Sequence, residues 1–407
     1  MNCRVSGKPL EPLINLGDIY LNNFVDNIDR HLPSERLAIG VSPEFGLAQL
    51  MCEPDLDLLY KDYWYRSGTN EGMRESLGLV ALKAQEWRKL DRWDIILDIG
   101  CNDGFGLTCF PDRCTKVGID PAKNLREEAK GRMDYHYPDY FSADVYERLM
   151  GNKQASIITS IAMFYDLPDP IKFVRDVKKV LKDDGVWVCQ MSYTPLMLEQ
   201  NAFDNICHEH LEYYTFQSFE NVIRSEGMKV VDVELNSVNG GSFCCVVTKM
   251  GMELDPPRFV QDVAAMRVNA LRDWDGHYGR SKWDEFGKRV IGLRESTLDL
   301  LHELKKKKKR VYGYGASTKG NTLLQYYGLD RGLITAIAER QPQKYGKLTV
   351  GSWIPIISDE QMRMAGPDYL VVFPWHFIDG FVEREHEFLE GGGRFIVPLP
   401  QLEVIGG

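Results

Sequence analysis

Residues 201–216 read NAFDNICHEHLEYYTF, placing His208 and His210 on either side of Glu209 with Tyr213 and Tyr214 just beyond. Three readings are open: a metal grip, an acid/base device, or a polar turn. Histidine has an unperturbed pKa near 6.5, which suits it to take a proton at neutral pH. The metal reading fits poorly. The zinc-protease pattern H-E-x-x-H sets its histidines four apart on a helix, whereas these are two apart, and no further ligand set is evident. No metal is therefore expected. In a strand or extended turn, residues two apart share a face. His208 and His210 would then look into one site while Glu209 points elsewhere.

A second signal is IILDIGCNDGFG, Ile95–Gly106, where an apolar run ends in Asp98 and Gly100 and Gly104 let the chain turn tightly beside a ligand. The dinucleotide fingerprint G-x-G-x-x-G is absent, because Cys101, Asn102 and Asp103 separate the two glycines. Hydride chemistry is disfavoured there. The next apolar run, KVGID, ends in Asp120, which can accept hydrogen bonds from both hydroxyls of a ribose. Loop and acid together fit an adenosine-bearing cofactor. A third signal, VYGYGASTKGN, places Gly313, Gly315 and Gly320 between a strand and a helix, so that amides and a helix N-terminus can face an anion. Lys319 adds a positive charge, and Glu339, Arg340 and Lys344 follow downstream. This set suits a nucleotide diphosphate or its sugar. A domain that only packs against its neighbour is the plain alternative.

The elements that must carry these residues follow from composition and pattern. The chain has 407 residues, 44% hydrophobic and 27% charged, enough for two or three globular domains. Its net charge of −10 argues against nucleic acid or an anionic membrane as the main partner. The one basic run, Lys305–Arg310, reads as the solvated end of a helix. No stretch approaches the roughly 20 apolar residues that span a bilayer, and the start lacks the apolar core of a signal peptide. With nine cysteines, an odd number suited to reduced thiols, the expected compartment is the cytoplasm. Residues 1–65 read as a small irregular module whose best strand is GLAQLMC. Residues 66–250 alternate helices with DIILDIG, KVGID, ASIITSIAMF, GVWVCQMS and SFCCVVTK, the pattern of crossover units and a mainly parallel sheet. Residues 251–407 open with a helical bridge and continue as a second α/β series, RVYGYG, LITAIAE, DYLVVFP and RFIVPLP.

Taken in order, YWYRSGTNEGMRESL, ILDIGCNDG, VGID, SIAMFYDLPDP, NAFDNICHEHLEYY, NGGSFCC, GYGASTKGNTLLQYYGL and PDYLVVFPWHF resemble the S-adenosylmethionine-dependent sugar C-methyltransferases. Those enzymes methylate nucleotide-linked 4-keto-deoxyhexoses at C-3. The resemblance implies a small metal-binding N-terminal module, a class I methyltransferase domain with a Rossmann-like fold, and a C-terminal Rossmann-like domain that helps hold the nucleotide sugar. It implies S-adenosylmethionine as cofactor, with Gly100, Asn102 and Gly104 against its methionine part and Asp120 on its ribose. Met163 and Phe164 would lie near the adenine or sulfonium, although apolar residues there also serve as core. Tyr63, Tyr65, Ser67 and Asn70 would close over cofactor and substrate, Tyr63 on the substrate side.

His210 matches the family's general base, with Glu209 and His208 as orienting or charge-stabilising partners and Tyr213 and Tyr214 behind them. Lys319, Asn321, Arg340 and Lys344 would meet the nucleotide diphosphate sugar. An acceptor oxygen or nitrogen, or a non-catalytic sugar-binding or partner-binding module, are the alternatives, and the oligomer is expected to be a monomer or homodimer. Two departures from the family stand out. Its N-terminal module usually carries two C-x-x-C pairs for zinc, whereas this chain keeps only Cys3 and Cys52, one from each, which cannot make a closed four-sulfur site. Asp166 stands where some members have a histidine.

Overall fold

The structure, a computed structural model, describes residues 1–21, 24–55, 59, 66–69, 71–252 and 254–406. Its strands fall into three main sheets. The first is antiparallel and joins β1 (Glu11–Tyr20), β3 (Ser34–Val41) and β4 (Ala48–Leu50), β2 (Phe24–Val25) lying apart. Its fourth strand comes from far down the chain.

The second sheet is built from β5 (Ile95–Ile99), β6 (Thr115–Ile119), β7 (Tyr135–Tyr137), β8 (Ala155–Ile161), β9 (Leu181–Ser192), β11 (Met228–Asn236) and β12 (Ser242–Lys249). The missing number, β10 (Glu212–Tyr213), is the strand that completes the first sheet, pairing antiparallel with β4. The second sheet runs in the order β11-β12-β9-β8-β5-β6-β7, with β12 alone antiparallel to its neighbours. All five residues of β5 are buried, as expected of a central parallel strand covered on both faces. Strand order reverses between β5 and β8, and such a switch point opens a crevice beyond the carboxyl ends of the strands.

The third sheet, β16 (Ile356–Ser358), β14 (Ile337–Glu339), β13 (Val311–Tyr314), β17 (Tyr369–Val372), β18 (Arg394–Val397) and β19 (Glu403–Ile405), repeats the device. All its pairings are parallel except the last, and its order reverses at β13. Between the second and third sheets run the helices Arg258–Asp275 and Arg280–Lys306, the second ending in the exposed lysine run. A short ladder of β15 (Leu348–Thr349) on β2 ties the N-terminal region to the C-terminal one.

Two sequence expectations need correcting. The N-terminal region is more regular than its prolines imply, since β1 has ten residues and β3 eight. Register shifts after Pro12 and Asn15 break the period-two alternation that would have marked β1. Phe164 and Tyr214, expected beside cofactor and substrate, are both fully buried, their rings 5.3 Å apart. Phe173, Trp187 and Phe219 surround Phe164 at 5.4–5.6 Å. Apolar surface and aromatic edge contacts drive them into the core under the sheet.

In the N-terminal region Cys3 is buried, its sulfur accepting the Ser6 amide at 3.4 Å, and Cys52 is half-buried. Among the described residues no three His, Cys, Asp or Glu side chains gather in a way that could hold a metal ion. No described helix is long and apolar enough to cross a membrane.

Phe164→Ala is expected to cost about 3–5 kcal/mol of stability, read as a lower denaturant midpoint with unchanged slope. A selective loss of cofactor affinity at wild-type stability would contradict its place in the core.

Candidate active site

The crevices at the two switch points open into one cavity of about 1640 Å³. On the side of the second sheet its wall includes Asp98, Gly100, Asn102, Asp120 and Met163. Gly100 has φ 72°, and a Cβ there would come within 3.1 Å of Met163 Cγ, so any other residue would be strained at this turn. Asn102 and Ala162 hold positive φ of 52° and 53° on the same wall, backbone strain of the kind stored at ligand sites, of order 1–3 kcal/mol each. On the side of the third sheet, Gly315 has φ 83° and leaves 2.5 Å between a would-be Cβ and Pro374, and both line the cavity.

The turn that carries His210 sits where the sheets meet. Thr215 caps the helix Phe216–Ser225 and draws the chain away after β10. Upstream, the 3₁₀ turn Phe203–Asn205 is plugged into the C-terminal domain. Phe203 stacks on Tyr327 at 5.3 Å, Trp375 Nε1 donates to Asp204 Oδ2 at 3.1 Å, and Lys319 Nζ donates to Asn205 Oδ1. His210 N closes a turn on Cys207 O at 3.2 Å.

The carbonyl of Asn205 then takes His210 Nδ1 at 2.7 Å. A carbonyl can only accept, so Nδ1 carries the proton and Nε2 keeps its lone pair. Burial, then the nearby Lys319 cation, push the His210 pKa down to about 3, against the Asn205 carbonyl. The imidazole is thus neutral at pH 7. Tyr165 lies 4.4 Å from its ring centre. Glu209, also on the cavity wall, has its pKa raised to about 7 by burial, partly offset by Lys319. Two titratable side chains whose pKa values burial shifts in opposite senses thus face one cleft.

Comparison with known proteins gives the family. A sequence family described as a methyltransferase domain matches residues 71–233, and one described as a C-methyltransferase C-terminal domain matches residues 237–400. The C-methyltransferase NovU of Streptomyces niveus is 30% identical over 351 residues, covering 86% of this chain and 82% of that protein. This chain belongs to the C-methyltransferase family. Among solved structures, an S-adenosylmethionine-dependent methyltransferase from Clostridium acetobutylicum is similar at 12% identity and a TM-score of 0.34, over 44% of this chain and 92% of that one. The plantazolicin methyltransferase BpumL is similar at 14% identity and a TM-score of 0.36, over 45% and 87%.

The C-methyltransferase has the class I Rossmann-like fold, and its cofactor is S-adenosylmethionine. The residues present fit that group. Gly100 leaves room for a ligand against backbone, and Asp98 and Asp120 offer carboxylates to hydroxyls and to a cation. Both oxygens of Asp120 are aimed by backbone amides, Oδ2 by Asn102 N and Oδ1 by Ala122 N, each at 2.8 Å. Ser67 also lines the cavity, its amide on Asn102 Oδ1 at 3.0 Å.

The remaining expected site residues divide. Glu209, His210, Arg340, Lys319 and Lys344 line the cavity. Lys344 is buried and donates to Ala316 O at 2.7 Å and Glu339 Oε2 at 3.3 Å, so it braces the second glycine loop from within. Gly104 lies off the cavity wall, packed against Met133. Asn321 is fully buried and off the wall, and so is His208. The HEH segment is a turn and not a strand, so alternation does not apply and Glu209 instead of His208 shares the cavity with His210. Tyr213, in β10, is buried off the wall as well. Tyr63, Tyr65 and Asn70 lie outside the described residues.

Asp98, Tyr165 and Asp204 are among the cavity residues that had been given no role. Asp98 is wholly buried, hydrogen-bonded by Thr159 at 2.6 Å, and burial raises its pKa to about 7. A carboxylate within the apolar run IILDI was its signal. Tyr165 followed Met163 in a quoted motif, and Asp204 interrupted the apolar AFDNI.

Burial holds His208 at a pKa of about 4, partly offset by the Glu35 backbone. The unfolded chain binds this proton below pH 6.5 and the folded chain does not, so stability falls as pH falls through that window. At pH 5 the loss amounts to about 2 kcal/mol. Denaturant unfolding at pH 8 and pH 5 is expected to show a smaller acid loss in His208→Gln than in the wild type; equal losses would contradict the buried neutral state.

Proposed function

We propose that this C-methyltransferase acts on C-3 of a nucleotide-linked 4-keto-deoxysugar, with His210 as the base that makes the carbon nucleophilic. The observation that carries this reading is the neutral His210, its proton fixed on Nδ1 by Asn205 O and its ring on a cavity shared by two nucleotide-type crevices. A carbon beside a ketone becomes a nucleophile once its proton is removed, and a general base contributes typically 10²–10⁴-fold.

Each half of the cavity has its own task. When bound, S-adenosylmethionine supplies an electrophilic methyl group. Asp120, Asn102 and Gly100 hold that half of the site. Gly315, Arg340 and the helix Thr318–Tyr327, capped by Ser317, offer amides and a cation to the diphosphate side of a sugar nucleotide. Glu209 orients the reacting groups beside His210. Binding both reactants in one cavity contributes up to about 7–11 kcal/mol toward the barrier, provided the reacting atoms are aligned. Support for a sugar acceptor comes also from the order of family motifs along the chain, with Asp166 in place of the histidine of some members bearing on which sugar is taken.

His210→Ala and His210→Asn are expected to lower turnover by at least about 100-fold, measured by mass spectrometry with a panel of nucleotide-linked ketosugars. Calorimetry should find cofactor affinity nearly unchanged. Full activity in both variants would refute the base assignment.

A further inference from the structure

Lys319 was expected to serve the phosphates of the nucleotide, yet its ammonium reaches across to the catalytic turn. It donates to Asn205 Oδ1, the side chain of the residue whose carbonyl orients His210. Its charge acts on Asp204, Glu209 and His210 from the methyltransferase side and on His376 from the C-terminal side. All five side chains line the same cavity. An ammonium carries three donors, and one is used on Asn205.

The geometry points to Lys319 as the group that meets the oxygen on which charge develops when His210 takes its proton. This inference rests on the ketone reading above and names the second partner that reading needs. The step balances as follows: the C–H bond breaks, the proton goes to Nε2 of His210, the C–H electron pair forms a carbon–carbon double bond, and the carbonyl π pair moves onto oxygen. Lys319 neutralises that oxyanion. When the new C–C bond forms, the carbonyl returns, the methyl's bond to sulfur breaks with its pair left on sulfur, and the proton on His210 passes to solvent. A preorganised donor aimed at a developing oxyanion, in a site that excludes water, is worth about 10²–10³ in kcat. A phosphate contact would act otherwise, because it binds ground state and transition state alike and appears in KM.

The tests use the full chain, Lys319→Met and Lys319→Arg, and a nucleotide-linked 4-ketosugar that the wild type methylates. Lys319→Met is expected to lower kcat about 100-fold with KM little changed. In D2O without cofactor, it should slow deuterium uptake at the carbon beside the ketone by a similar factor. Lys319→Arg, which keeps the charge but not its shape, should recover part of both. A raised KM with kcat retained would assign Lys319 to the phosphates and overturn the inference. Wild-type exchange that Lys319→Met leaves undiminished would overturn it alone, whereas no exchange in the wild type would overturn the ketone reading and this inference with it. Should Lys319→Met fail to fold, Lys319→Arg decides by the same split between kcat and KM.

Discussion

The hydrogen bond from His210 Nδ1 to the carbonyl of Asn205 sets the ring's tautomer, and much of the surrounding structure serves to hold that carbonyl still. Asn205 is pinned through its own side chain by Lys319, Asp204 by Trp375, and Phe203 by the face of Tyr327. On the other side of the turn, Glu212 is buried against Arg4 at 3.1 Å and pairs through its backbone with Gln49. His210 therefore belongs by sequence to the methyltransferase domain, yet it is positioned by the regions before and after that domain. A buried ion pair such as Arg4–Glu212 gives little net stability, because desolvation opposes the Coulomb gain. Its plainer use here is register, since a slip of β10 on β4 would carry the turn with it.

The two α/β units meet at the ends where their strands reverse order. One crevice presents carboxylates, Asp98 and Asp120; the other presents amides and the cations Lys319 and Arg340. The imidazole at the seam is kept neutral by burial and by the cation beside it.

Much of this was legible in the residues. Continuous apolar runs ending in Asp98, Asp120 and the second glycine loop fixed both crevices, because a parallel strand buried on both faces leaves that pattern. The HEH segment was found but its geometry misjudged: a turn places neighbours, not alternate residues, on one surface, which put Glu209 in the cavity and His208 outside it. Within genuine motifs, Phe164 and Tyr214 are buried in an aromatic core while Gly104 and Asn321 lie off the cavity wall, a distinction that depends on a third dimension the spacing does not encode. The cross-domain partners of Asp204 and Asn205 were beyond reach because they come from residues 319 and 375, and contact at such separation has no local signature. In β1, bulges erased the alternation that would have revealed it.

The strand β10 closes a sheet begun by the first fifty residues, and Tyr20 is bonded to Gln325 across 305 residues of chain. A nascent chain cannot complete its first sheet until the methyltransferase strands have emerged, nor secure β2 until β15 arrives. Contacts of this range make folding slow, since loop closure precedes any reward from pairing. They also make it communal: the three regions distinguishable in sequence are tied together by these contacts, and the histidine at their junction gains its geometry only when all of them have folded.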